Sequence, residues 1–144
     1  MIVVGIDGSE SSRDALAWAL AEARSRDARV TVVAAWHVAT MAYAAPLVLP
    51  VEGGIEHSFE RSAELALAAT LEDMGDAAES IQVEQRVVAG PAAKVLVSEA
   101  EKAELLVVGS RGHGGFTGLL LGSVSQQCAQ HAPCPVVIVR RPDS

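Results

Sequence analysis

Residues 105–125 read Leu-Leu-Val-Val-Gly-Ser-Arg-Gly-His-Gly-Gly-Phe-Thr-Gly-Leu-Leu-Leu-Gly-Ser-Val-Ser: an apolar run, a glycine-dense loop and the start of a helical pattern. A strand that feeds a glycine loop opening a helix is a recurrent way to hold phosphate. Glycines let backbone N–H groups come close to the oxygens, and a helix N-terminus adds unpaired donors and a favourable dipole. Two familiar motifs fail here. The P-loop needs a Lys beside its final glycine, yet Gly122 is followed by Ser123 and no Lys lies beyond Lys102. The dinucleotide fingerprint would need a third glycine at the position of Thr117. What remains is Gly109-x-x-Gly112, nine residues, then Gly122-Ser123. A flexible loop followed by a helix cap is the plainer reading of the same residues.

On either side of this stretch, short apolar runs alternate with longer helical patterns. Ile2 to Ile6 reads as a buried strand ending at Asp7-Gly8, and Ser9 is placed to cap a helix with an apolar stripe of Ala15, Leu16, Ala19, Leu20 and Ala23. Val30 to Trp36 is a second strand. From His37 to Gly54 periodicity is lost and Pro46, Pro50, Gly53 and Gly54 mark an irregular excursion. The spacing predicts a helix from about Glu56 to Met74, stopped by Gly75, and a partly exposed edge strand over Ile81 to Val88. Gly90-Pro91 opens another helix, with Pro at its first position, that runs to about Lys102. Leu105 to Val108 is the most apolar strand, Ser123 to about His131 is a helix ending before Pro133, and Val136 to Val139 is a fifth strand. Such β-α alternation implies an α/β fold: a parallel, doubly wound sheet with right-handed crossovers and helices on both faces.

Composition bounds the rest. A chain of 144 residues suits one domain, expected over 1–144, with room for a real core. Half of its residues are hydrophobic but only 3% are aromatic, so Ala, Val and Leu must build the interior. The formal net charge of −7 argues against nucleic acid or an anionic membrane as partner, since both demand a cationic face. It does not argue against phosphate, because backbone amides and helix dipoles bind anions in acidic proteins too. Ile2-Val3-Val4 follows the first Met with no basic region or small-residue cleavage site, and no apolar run reaches the ~18 residues of a membrane span. A cytoplasmic protein is therefore expected, with Cys128 and Cys134 reduced.

In open α/β sheets, ligands sit beyond the carboxyl ends of strands where the strand order reverses. Two strand ends here carry suitable chemistry: Gly5-Ile6-Asp7-Gly8-Ser9 and Gly109 onward. If those strands are neighbours, Asp7 faces the glycine loop, where a carboxylate accepts hydrogen bonds from ribose hydroxyls or helps to hold a divalent cation. Asp-Gly-Ser equally favours a turn in which the aspartate bonds its own backbone. Ser123 and Ser125 are candidate donors to phosphate oxygens, while Ser123-Val-Ser-Gln126 also reads as a capping box. Arg111 is the one cation of the loop, either a phosphate partner or a solvated surface group. His37, His57, His113 and His131 show no metal-ligand spacing, and no Gly-x-Ser-x-Gly elbow is present, so no metal ligand and no catalytic residue is assigned.

The opening strand with Asp7-Gly8-Ser9, Ala34-Ala35-Trp36-His37 closing strand two, and Gly109-x2-Gly112-x9-Gly122-Ser123 ahead of Pro135 to Val139 resemble the universal stress protein family. The match is to its nucleotide-binding branch in single-domain actinobacterial form, and only residues 39–55 fall where that family varies. The resemblance implies a five-stranded sheet of order 3-2-1-4-5, which makes strands one and four neighbours. It implies ATP as ligand, accompanied by Mg2+ or Mn2+. Asp7 would then contact ribose and Ala35 the adenine. Gly109, Arg111 and Gly112 would line ribose and phosphates, and Gly122, Ser123, Val124 and Ser125 would hold the phosphate tail. Gly5, Ile6 and Val108, at the ends of strands one and four, complete the nucleotide-binding set. The family also implies a homodimer through the last strand, here residues 135–140, and an apolar edge strand gives that expectation its own physical support.

The function expected is an ATP-binding stress or signalling module with little or no hydrolysis. The alternatives are a slow ATPase or phosphotransferase, or a binder of another adenine nucleotide such as cyclic AMP. Fast phosphoryl transfer wants a positioned base and several cationic clamps, and beyond Asp7 and Arg111 the candidate site offers neither.

Overall fold

Alternate residues of the central strands point to opposite faces, and nearly all of them are apolar. In β1 (Ile2–Ile6), Val3 and Val4 are both fully buried yet belong to two different clusters, one on each face of the sheet. Such two-sided burial is what a parallel sheet covered by helices requires. The computed structural model describes residues 1–37, 54–111 and 121–141. Gly112, and all of the 37–54 excursion but its two ends, lie outside those residues.

The described elements follow the expected alternation: β1, α1 (Glu10–Arg26), β2 (Val30–Trp36), α2 (Gly54–Met74), α3 (Asp76–Glu79), β3 (Val83–Ala89), α4 (Ala92–Glu99), β4 (Leu105–Gly109), α5 (Ser123–His131) and β5 (Val136–Val139). The strands form one five-stranded sheet of order β3-β2-β1-β4-β5, and every neighbouring pair is parallel. Central β1 pairs with β2 on one side (Val4 opposite Val32) and β4 on the other (Val4 opposite Val107). The strand order therefore reverses between β1 and β4, as the family resemblance implied. Beyond α4, residues Ala100–Lys102 tighten into a 3-10 turn.

Helix α1 shows how the sequence writes an element. Ser9 is its N-cap, and the Ser9 hydroxyl accepts the Ser12 N–H at 3.2 Å, a cap worth about 1 kcal/mol. Ala15, Leu16, Ala19, Leu20 and Ala23 are all buried against the sheet. Asp27, at a left-handed φ of 53°, closes the helix. Helices α1 and α2 cover one face, with Ala63 and Leu67 of α2 set against β1 and β2 residues such as Val4 and Val32. Helices α4 and α5 cover the other, where Ala93, Leu96 and Cys128 meet Val3, Val33, Leu106 and Val108.

Several boundaries differ from the sequence reading, among them β3, which runs Val83–Ala89 and not Ile81 to Val88. Pro91 is the N-cap of α4, not its first helical residue, because its ψ of 133° is still extended. The short helix α3 went unforeseen: Gly75 adopts φ 52° and ends α2, but the chain then makes one more turn before β3. β3 itself is an edge strand, as expected, with Glu84, Gln85 and Arg86 exposed. Among the described residues no helix is long and apolar enough to cross a membrane.

Candidate functional site

The ends of β1 and β4 are adjacent, and a cleft opens between them beyond the carboxyl ends of the strands. Gly5, Ile6 and Asp7 bring β1 to its wall. Ala35 contributes from β2, Val108 and Gly109 from β4, and Arg111 from the turn that follows. Gly122, Ser123, Val124 and Ser125 close the far side at the start of α5. Every nucleotide-binding residue expected from the sequence, Gly112 apart, therefore lines one cleft.

Asp7 is held by the turn that starts α1. Its Oδ1 accepts the backbone N–H of Ser9 at 2.9 Å and also the Ser9 hydroxyl, while Gly8 takes φ 84° to make the turn. The turn reading of Asp-Gly-Ser is thus present in the structure, and the same side chain stands at the cleft. A carboxylate offers about four lone-pair sites, more than these two bonds use.

The turn after β4 is fastened from three directions. The Ser110 N–H donates to the Val139 carbonyl at 2.9 Å, and the Ser110 carbonyl accepts the Gly122 N–H at 2.7 Å and the Ser125 hydroxyl at 3.2 Å. The Arg111 N–H donates to Ser11 Oγ at 3.2 Å. These bonds revise the capping box. Gly122, with φ −72° and ψ 166°, is the N-cap of α5 and supplies no side chain, and Ser123 is the first helical residue. Gln126 reaches back to the Leu121 carbonyl at 3.4 Å instead of to Ser123. Ser125 is buried and its hydroxyl points to the Ser110 and Gly122 carbonyls, so it braces the turn.

The start of α5 offers a ligand backbone donors and the exposed side chain of Ser123, which lines the cleft. The Gln126 N–H closes the first helical bond on the Gly122 carbonyl, and helix geometry gives the N–H groups of Ser123, Val124 and Ser125 no acceptor within the helix. Three convergent donors at the positive end of a helix dipole suit an anion. Arg111 is the one cationic side chain lining the cleft and Asp7 the one carboxylate, among the described residues.

The cleft also has an apolar wall that sequence reasoning missed. Val33 joins Ala35 on the same face of β2, and Ala92 with Leu96, one turn apart on α4, stand opposite. Such apolar surfaces suit a flat aromatic ring. The signal was there in the i, i+2 spacing of the strand and the i, i+4 spacing of the helix, but neither shows which end of the sheet is open. Ser12 is a further lining residue; its hydroxyl donates to the Ser9 carbonyl at 2.9 Å and accepts the Asp7 N–H at 3.4 Å. Gly5 matters here for space: a Cβ at that position would lie 2.7 Å from Leu96 Cδ1.

A resident metal cage is not evident, since the described residues hold no group of three or more His, Cys, Asp or Glu able to bind an ion. Asp7 alone fits a cation that is carried in largely by its ligand's own oxygens and by water, as Mg2+ usually is.

Residues 1–140 match the model of the universal stress protein family. Universal stress protein Rv2005c of Mycobacterium tuberculosis is 38% identical over 141 residues, covering 97% of this chain and 45% of that protein. The chain spans about half the length of the curated relatives it matches. Among solved structures, hypothetical protein MJ0577 superposes with a TM-score of 0.80 at 21% identity, covering 99% of this chain and 96% of the other. A universal stress protein in complex with cAMP superposes with a TM-score of 0.69 at 28% identity, covering 96% and 94%. A sheet reversed between β1 and β4, a cleft at that reversal, and a sequence match over nearly the whole length agree: this chain belongs to the universal stress protein family.

Proposed function

We propose that the chain binds an adenine nucleotide in the cleft at the β1–β4 reversal, and that ATP accompanied by Mg2+ or Mn2+ is the form it takes best. The observation that carries this reading is the combination in one cleft of an apolar wall, Val33, Ala35, Ala92 and Leu96, with the donor end of α5. The wall suits a purine ring, and Asp7 stands where a ribose hydroxyl can donate to it. The N–H groups of residues 123–125, with Gly109 and Arg111 nearby, suit phosphate oxygens. A bound Mg2+ would supply positive charge between Asp7 and the phosphates, which otherwise repel. The cAMP complex of a relative at 28% identity supports the adenine nucleotide class.

Residues 1–144 act in this reading as one domain whose nucleotide occupancy biases its conformation or its partners. Hydrolysis is slow or absent in this reading, because the one cation and one carboxylate that line the cleft among the described residues do not make the several cationic clamps that fast phosphoryl transfer needs. A cytoplasmic homodimer joined through residues 135–140 completes it, since β5 ends the sheet and carries four apolar residues in a row. Titration calorimetry of nucleotide-stripped protein against ATP, ADP, AMP, cyclic AMP and GTP, each with and without Mg2+, is the test. Heat from the adenine nucleotides and none from GTP is expected; no heat from any of them at millimolar concentration overturns the proposal.

A further inference from the structure

The geometry points to Ser11 as a positioning residue of the cleft, holding the turn 109–111 in place through a hydrogen bond from the backbone of Arg111. The inference deepens the nucleotide reading and rests on it. Pairing between β1 and β4 ends at Val4 and Val107, although β1 itself runs on to Ile6 beside β2. β4 runs on without a neighbour on that side. Successive N–H groups of a strand point to opposite edges, and Ser110 aims its own at Val139 of β5. The Arg111 N–H therefore faces the side that β1 has vacated. Ser11 Oγ fills the vacancy, accepting that N–H at 3.2 Å across 100 residues of sequence.

Ser11 is free to do this because the cap of α1 is made elsewhere. Ser9 accepts the Ser12 N–H, so the hydroxyl at position 11 has no duty within its own helix's cap. The approach is close enough to fix residue choice on the other side: a Cβ on Gly109 would lie 2.4 Å from Ser11 Oγ and 2.7 Å from the Ser11 carbonyl carbon. Ser11 itself does not line the cleft, whereas Gly109 and Arg111 do. Its effect on a ligand must pass through the turn. Ser125 braces the same turn from the α5 side, through the Ser110 carbonyl.

The test uses Ser11→Ala and Ser11→Thr in the full chain, with amide hydrogen exchange of the ligand-free protein and ATP affinity as readouts. Ser11→Ala is expected to speed exchange at the Arg111 amide and to weaken ATP binding by about tenfold, the scale of one lost hydrogen bond. Exchange in β2 and the melting temperature should stay close to wild type. Ser11→Thr, which keeps the oxygen, is expected to restore both protection and affinity. Unchanged exchange at Arg111, unchanged affinity in Ser11→Ala, or a Thr variant as impaired as Ala overturns the positioning role while wild-type binding leaves the nucleotide reading standing. Wild-type protein that does not bind ATP overturns both.

Discussion

Gly109 and Ser11 are packed so tightly that a methyl group at position 109 would sit 2.4 Å from the Ser11 hydroxyl oxygen and 2.7 Å from its carbonyl carbon. The first glycine of the loop is thus demanded by helix α1. Gly109→Ala should lower stability by about 1–3 kcal/mol, the usual cost of forcing a group into a packed site. Because backbone atoms of Ser11 are among those met, Ser11→Gly should not restore it. Urea unfolding of the single and double variants measures this, and a midpoint equal to wild type in Gly109→Ala would contradict the packing.

Gly122 behaves differently. Its φ of −72° and ψ of 166° are open to any residue, so Gly122→Val brings no backbone strain. The same variant should lose nucleotide binding, because a branched side chain would occupy the space in front of the α5 donors. Circular dichroism with calorimetry separates the two effects. Native spectra with wild-type affinity would place the phosphates elsewhere.

Asp7 has two jobs that two substitutions can split. Asp7→Ala removes the acceptor of the Ser9 N–H as well as the charge, and should weaken ATP binding by about 1–3 kcal/mol while also loosening the start of α1. Asp7→Asn keeps one oxygen for the turn, replaces the other with an amide NH2 and removes the charge, so it should disturb the start of α1 less than Asp7→Ala while its dependence on Mg2+ falls. Steady-state turnover stays below about one per second, the low end of typical enzymes, in wild type and both variants. Faster turnover in wild type would make the protein an enzyme.

Burial pushes the Cys128 thiol up to about 11 from an ordinary 9.0. The folded state thus holds the proton more tightly than the unfolded chain does. The resulting stability is fully present below pH 9 and is lost as pH rises toward 11. Between pH 8 and 10.5 the urea midpoint should fall further in wild type than in Cys128→Ala. Iodoacetamide at pH 8 should label Cys134, which is only half-buried, ahead of Cys128.

In β5 the carbonyls of Pro135 and Val139 accept N–H groups from Leu106 and Ser110, so the alternate residues Val136 and Ile138 direct their backbone groups to the open edge. Sedimentation should find a dimer at tens of micromolar, and Ile138→Pro, which removes an outward donor without touching the β4 ladder, should give a monomer. A wild-type monomer at that concentration would refute pairing through this edge.

The sheet was legible because β1, β4 and β5 are short apolar runs marked off by Asp7, Gly109 and Pro135, and because Ser9, Gly75 and Pro133 punctuate the helices as their chemistry predicts. The strand order came from the family resemblance, and no local signal supplies it. Asp7, Gly109 and Arg111 could be picked out because glycine and charge are conspicuous in an Ala- and Val-rich chain. Val33, Ala92 and Leu96 could not, since an apolar residue in a cleft looks like one in a core until the open end of the sheet is known. Ser11 was hidden for another reason: its partner lies 100 residues away, and a serine in the first turn of a helix normally reads as part of a cap. The capping box at Ser123 failed because Gly122, being extended, took the cap position one residue earlier.

Val3 and Val4, adjacent in the chain, face opposite clusters, and of the buried apolar residues lining the cleft Val33, Leu96 and Val108 belong to the cluster of Val3, with Ile6 alone in that of Val4. The sheet thus acts as a partition. Substitutions beneath α2, at Ala63 or Leu67, lie on the far side of it and can raise or lower heat tolerance without reshaping the ligand's surroundings. A lineage could adapt this protein to a hotter or colder habitat on one face while keeping its ligand choice on the other, and an engineer could do the same in the reverse order.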